Sequence, residues 1–154
     1  MNSIIKANTE QHFKEAILLF KEYAAWLNID LCFQNFDAEL KSLNEMYAAP
    51  LGIILLSTFN KNFTGCVAVR NKGEQIAELK RMYVQPAYRG KGLAKDLLQQ
   101  AIDFAKDAGY KKIRLDTLAS MTPAINLYKQ FDFYEIDAYY HNPEANAVYF
   151  ECRL

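Results

Sequence analysis

Glycine and proline are scarce in this chain, with 6 and 4 residues in 154. Together with 51% hydrophobic and 14% aromatic residues, that scarcity excludes collagen-like, low-complexity and disordered sequence and leaves ample material for a core. Cysteine is scarce too. Cys32, Cys66 and Cys152 are odd in number, far apart and in no C-x-x-C pair, so no disulfide framework is expected. His12 and His141 stand alone, whereas a structural zinc site takes roughly four ligands; no metal is expected. No apolar run, Gly52–Leu56 among them, reaches the ~18 residues that span a bilayer. The start, MNSIIKANTE, lacks the apolar stretch of a secretory signal. A soluble, cytoplasmic protein with no membrane partner is the expectation, and its length suits one domain, 1–154.

An excess of charge of one sign is also missing. Eighteen basic and eighteen acidic residues cancel, which argues against a polyanion binder driven by bulk charge, and no nucleic-acid partner is expected. The balance is uneven along the chain. Residues 1–79 carry −2, residues 80–114 carry +6, and residues 115–154 carry −4. A local positive block suits an anionic ligand or a solvated helix face equally well.

Hydrophobic spacing predicts alternating strands and helices. Ser3–Lys6 reads as a strand, and Thr9 as the cap of a helix reaching Leu27. Asp37 reads as the cap of a second, short helix carrying Leu40 and Leu43. Gly52–Phe59 and Phe63–Arg70 read as a hairpin, with a further turn at Asn71–Gly73. Gln75–Val84 is the next strand, halted by Pro86. Strict alternation along it puts Glu78, Lys80, Met82 and Val84 on one face and Leu79, Arg81 and Tyr83 on the other. Lys91–Ala108 is helical, Ile113–Leu118 a strand, and Thr122–Pro123 a helix start. Phe133–Ala138 and Ala147–Arg153 close the chain as strands. A parallel pair of strands is expected around the Lys91–Ala108 helix, because a strand–helix–strand crossover requires it.

The informative stretch is Glu78 to Ala94, ELKRMYVQPAYRGKGLA. A strand turns through Pro86–Tyr88 and enters a helix through Arg89-Gly90-Lys91-Gly92-Leu93-Ala94. Two glycines let the backbone approach a ligand, and the first N–H groups of a helix lie at its positive end, so the turn suits a pyrophosphate. A Walker loop fails, since Gln85 and Gly92 stand where glycine and Ser/Thr belong. A dinucleotide G-x-G-x-x-G fails at Lys95.

What remains is R-x-x-G-x-A, at Arg89, Gly92 and Ala94. It resembles the pyrophosphate-binding signature of the GCN5-related N-acetyltransferase (GNAT) superfamily. The segment Ala124–Phe133, AINLYKQFDF, resembles the superfamily's A-x-x-L-Y-x-x-x-G-F, with Asp132 in place of the glycine. Met121 stands where an asparagine is common. The resemblance implies a single-domain acyl-CoA N-acyltransferase fold: α/β, with a mixed, mostly antiparallel sheet of six to seven strands and about four helices. It implies an enzyme that moves an acetyl group from acetyl coenzyme A to a primary amine of a small molecule or peptide, as a monomer or homodimer. A non-catalytic acyl-coenzyme A binding domain is the other reading.

On that resemblance Met82, Tyr83 and Val84 would hold the pantetheine arm through their backbone, and Arg89, Gly90, Lys91, Gly92, Leu93 and Ala94 the pyrophosphate. Tyr128 falls at the position of the general acid, and Glu78 resembles the catalytic glutamate of some relatives. Phe33, Phe36, Tyr140 and His141 are candidate acceptor-site residues, with His141 an alternative base.

Overall fold

In the computed structural model of the protein, residues 2–31 and 35–154 are described. In chain order they form β1 (Asn2–Lys6), α1 (Glu10–Leu27), α2 (Phe36–Lys41), α3 (Leu43–Met46), β2 (Ile53–Phe59), β3 (Asn62–Gly73) and β4 (Ile76–Val84). A 3-10 turn, Pro86–Tyr88, leads to α4 (Leu93–Asp107), β5 (Lys112–Leu118), α5 (Thr122–Gln130), β6 (Tyr134–Ile136) and β7 (Ala147–Arg153). The seven strands make one sheet in the order β1-β2-β3-β4-β5-β7-β6, antiparallel throughout except for β4–β5. The expected parallel pair is therefore present.

Both faces of the sheet are buried, so its central strands are apolar at successive residues. Ile53 and Leu55 of β2 join Val67 and Val69 of β3 in a core closed by α4. Ile54 and Leu56 join Cys66 and Ala68 in a second core closed by α1 and by Leu43 and Tyr47 of the α3 region. Helix α4 offers one stripe of Leu93, Leu97, Leu98, Ala101, Ile102 and Ala105, each at most 5% exposed. Burying a leucine contributes about 1.5–3 kcal/mol, so this stripe fixes α4 on the sheet.

Local chemistry sets the element ends. Thr9 caps α1, its Oγ1 accepting from the His12 N–H at 3.1 Å. Asp37 does not cap α2: that place falls to Asn35 in a left-handed conformation, and Ser42 breaks the short helix from α3. The turn expected at Asn71–Gly73 lies further on. Strand β3 runs through Gly73, and the chain reverses at Glu74 and Gln75, both at positive φ. Asp132 takes φ 67°, the left-handed conformation that a glycine would supply there.

The strict alternation expected in β4 does not hold. Cys66 pairs with Tyr83 and Ala68 with Lys80, so two β4 residues, Arg81 and Met82, oppose the single Val67. This is a β-bulge, with Arg81 at φ 58°. It shifts the period by one residue. Leu79 and Val84, five apart, lie in the same core, while Arg81 turns to α2 and Tyr83 to α1.

Candidate active site

The bulged strand and its parallel neighbour part company early. Strands β4 and β5 pair only at Ile76–Lys112, Ala77–Ile113 and Glu78–Arg114. Beyond Glu78 the edge of β4 that faces β5 exchanges no ladder pairs with β5, so that edge along Met82–Val84 is open to a strand-like ligand, apart from the Val84 carbonyl, which accepts from Arg89. Two cavities lie along this cleft.

The larger cavity, about 540 Å³, is lined by Met82, Tyr83 and Val84, by Arg89, Gly90 and Gly92, and by Leu93, Ala94 and Lys95. Its far wall comes from α5 and includes Tyr128. Gly92 caps α4 without any side-chain bond, so the first N–H groups of the helix face this space. Gly90 and Gly92 take φ 79° and 82°, and a Cβ built on either meets nothing within 4 Å. The left-handed backbone, not packing, requires these glycines, and the ground in front of them is open. Lys91 turns away from the cavity, its Nζ 5.1 Å from the Phe59 ring centre.

Arg89 is fixed on three sides. Its Nε donates to the Val84 carbonyl at 2.9 Å, and its guanidinium lies 4.5 Å from the Trp26 ring and 5.9 Å from that of Tyr83. Trp26, 41% exposed in the last turn of α1, closes the cavity from above the strand. No motif in the sequence marks Trp26. The signal available was a tryptophan on the outer face of an amphipathic helix, which packing alone does not require.

Tyr128 belongs to both cavities. The smaller, about 50 Å³, lies between β4 and β5 and shares Met82, Met121, Ala124 and Tyr128 with the larger. Tyr128 is 5% exposed, and among the described residues none hydrogen-bonds its hydroxyl. Burial, reinforced by the nearby Tyr23 and Asp116, pushes that hydroxyl well above the ordinary tyrosine range. It holds its proton throughout the working pH range. A fixed, protonated hydroxyl at the junction of two cavities suits proton donation to a leaving group.

A family model described as the acetyltransferase (GNAT) family matches residues 18–133. The chain belongs to the GNAT acetyltransferase family. It is 37% identical over 154 residues to an uncharacterised N-acetyltransferase of Schizosaccharomyces pombe, covering 99% of this chain and 94% of the relative. A GNAT-family acetyltransferase of Staphylococcus aureus shares the fold, with TM-score 0.82 and 22% identity over 99% of both chains. So does an N-acetyltransferase of Thermoplasma acidophilum solved with coenzyme A, with TM-score 0.77, 17% identity, and 100% and 99% of the two chains covered. This protein is accordingly an acetyltransferase with an α/β fold of seven strands, and the described residues form five α-helices, two of them a few residues long.

The remaining candidate residues of this GNAT enzyme are spread more widely. Glu78 is 1% exposed and lines neither cavity. Its Oε1 accepts from Arg70 Nε at 2.7 Å and lies 3.8 Å from Lys80 Nζ, while Oε2 accepts from Tyr139 Oη at 2.9 Å. Burial alone would raise its pKa, but the charges of Lys80 and Arg70 and the Arg70 hydrogen bond outweigh it, and the carboxyl sits below its ordinary value. Phe36 packs its ring 5.1 Å from the Arg81 guanidinium, outside both cavities. Tyr140 donates to Asp116 Oδ2 at 2.5 Å. His141 is exposed and lines neither cavity, whereas its neighbour Asn142 lines the smaller one. Phe33 lies outside the described residues.

Proposed function

We propose that this GNAT enzyme takes acetyl coenzyme A as donor in the larger cavity and passes the acetyl group to a primary amine entering from the β4–β5 side. One observation carries the reading: a single cavity joins the uncapped N-terminus of α4 to Tyr128. The open N–H groups and the left-handed glycines fit a pyrophosphate, and the unpaired β4 edge fits the amide-bearing pantetheine arm. Coenzyme A is also the molecule held by the structurally similar Thermoplasma protein. Acetyl coenzyme A would supply the activated acetyl thioester. Arg89, Lys95 and the loop amides hold its phosphates, Met82–Val84 align its arm, and Tyr128 keeps a proton for the departing sulfur.

Glu78, with three partners and no face on either cavity, is better read as a positioning residue. It fixes Tyr139, whose ring packs 5.4 Å from that of Tyr140 on the acceptor side. A pure binding domain is less well supported, since it has no use for a protonated tyrosine poised where two cavities meet. Free thiols at the buried Cys66 and Cys152 agree with a reducing compartment such as the cytoplasm.

Calorimetric titration with acetyl coenzyme A tests the donor directly. Micromolar binding is expected, with a rise in thermal midpoint that NAD and ATP do not match. Gly92→Val forces a branched residue into φ 82° at the mouth of the loop, so affinity should drop by at least roughly 10-fold. Undiminished affinity in that variant, or equal shifts from all three nucleotides, would remove the donor assignment.

A further inference from the structure

Three of the buried carboxylates each have an arginine. Glu39 pairs with Arg81 at 2.8 Å, Glu78 with Arg70 at 2.7 Å and Glu151 with Arg114 at 2.7 Å. Asp116, half-buried on β5, differs. Its hydrogen bonds come from neutral groups, Tyr140 Oη at 2.5 Å and Asn142 Nδ2 at 3.3 Å, and both go to Oδ2. Among the described residues none donates to Oδ1, and Asp116 enters no ion pair. A partly desolvated carboxylate held by neutral donors lacks the counter-charge that normally compensates it.

This carboxylate lines the smaller cavity, which opens onto Tyr128. Lys80 and Arg81 line it too, but their charges are engaged away from the cavity by Glu78 and Glu39. The rest of the lining is uncharged, with Tyr23, Thr117, Tyr128 and Asn142 polar and the other residues apolar, so among the described residues Asp116 is the one lining charge that no opposite charge meets.

We propose that Asp116 is the acceptor-binding residue: it receives the acceptor as a primary ammonium ion, with Tyr140 and Asn142 holding the carboxylate in place. One ammonium proton passes by way of that carboxylate to water, the freed amine attacks the thioester carbonyl, the C–S bond breaks as sulfur takes the Tyr128 proton, and the second proton lost from nitrogen restores Tyr128. The cation that Asp116 lacks within the protein is the one its substrate brings. The cavity also sets a size limit. About 50 Å³ accommodates roughly three or four water-sized groups, enough for an unbranched aminomethyl or aminoethyl head and too little for a tertiary carbon beside the nitrogen. The acceptor class is therefore an amine whose nitrogen ends an unbranched chain. This rests on the donor reading above, because only with the thioester in the larger cavity does an amine at Asp116 meet it beside Tyr128.

The test uses the full chain, acetyl coenzyme A, and n-propylamine, 1,4-diaminobutane and tert-butylamine as acceptors, with thiol release and product mass as readouts. Donor binding is measured separately by calorimetry. The wild-type protein should acetylate the two unbranched amines and not tert-butylamine. Asp116→Asn should raise the acceptor KM by roughly 10-fold or more, the loss of one charge-assisted hydrogen bond, with donor affinity unchanged. Asp116→Glu should recover part of the loss. If Asp116→Asn unfolds, the selectivity of the wild-type protein still decides. Unaltered acceptor KM in Asp116→Asn, equal use of tert-butylamine, or donor binding without acetylation of either unbranched amine would overturn the assignment of Asp116. Failure to bind acetyl coenzyme A would instead overturn the donor reading and this inference with it.

Discussion

Tyr128 separates a chemical role from a packing role at the level of one oxygen atom. Its ring packs on Phe133, with centroids 5.6 Å apart, and Tyr128→Phe keeps that contact. No described residue hydrogen-bonds the hydroxyl, so removing it costs the fold little, unlike the usual loss of about 1 kcal/mol for a broken buried bond. The thermal midpoint of Tyr128→Phe should therefore match the wild type. Turnover should drop by roughly 10²–10⁴, the range for a lost general acid, with donor affinity unchanged. Wild-type turnover in the Phe variant would end the acid role. Tyr128, Arg89 and Gly92 were legible in the sequence because short spaced patterns carry them. Asp116 was not, since Lys112, Arg114 and Asp116 alternate in KIRLDTL and read as the solvent side of an ordinary strand. Its meaning comes from Tyr140 and Asn142, which only the fold brings beside it.

The bulge in β4 is an element held by an ion pair from elsewhere in the chain. Glu39, 2% exposed, accepts from Arg81 Nε at 3.0 Å and Nη2 at 2.8 Å, and from Tyr47 Oη at 3.0 Å. These bonds hold Arg81 at φ 58°, and the bulge turns Met82–Val84 toward the larger cavity. Glu39→Gln leaves the arginine buried without its counter-charge, a loss of about 3–5 kcal/mol in comparable pairs. Thermal unfolding should show a drop of several degrees, and calorimetry a weaker grip on acetyl coenzyme A. A Glu39→Gln protein that is less stable yet binds the donor as the wild type does would show that the ion pair serves stability alone. Periodicity located β4 itself, and the crossover rule its parallel partner. The bulge escaped, because alternation assumes one residue per step and a helical glutamate 42 positions away is what breaks the step. The turn at Glu74–Gln75 escaped for a related reason: neither residue advertises the positive φ it adopts.

At the scale of the molecule, the sheet must be clamped at one end so that it can open at the other. The β4–β5 ladder has three residue pairs, and the closed end depends on two buried glutamates as well. Glu78 ties β4 to Arg70 of β3 and to Tyr139 of the β6–β7 connection. Glu151 ties β7 to Arg114 and Lys112 of β5 and to Tyr134 of β6. Burial works against the charge of each, but for Glu78 Lys80 and Arg70, and for Glu151 Tyr134 and Arg114, more than offset it, so both carboxyls sit below their ordinary value. A carboxyl with a lower pKa folded than unfolded adds stability that is complete above the unfolded value, about 4.3, and disappears as pH falls through the folded value. The wild-type midpoint should therefore hold from neutrality down to about pH 5 and then fall steeply. Glu78→Gln should melt lower at pH 7, because Arg70 and Lys80 lose their shared anion, and should be less sensitive to acid. The two melting curves must then converge as the pH falls through the lowered folded value, where the wild-type carboxyl is itself becoming neutral. A gap between them that stays constant down to about pH 3 would mean that Glu78 stabilises the clamp by shape and neutral hydrogen bonds. The Tyr139–Tyr140 pair, which reaches Asp116 through the Tyr140 hydroxyl, would then owe its position to packing, not to charge.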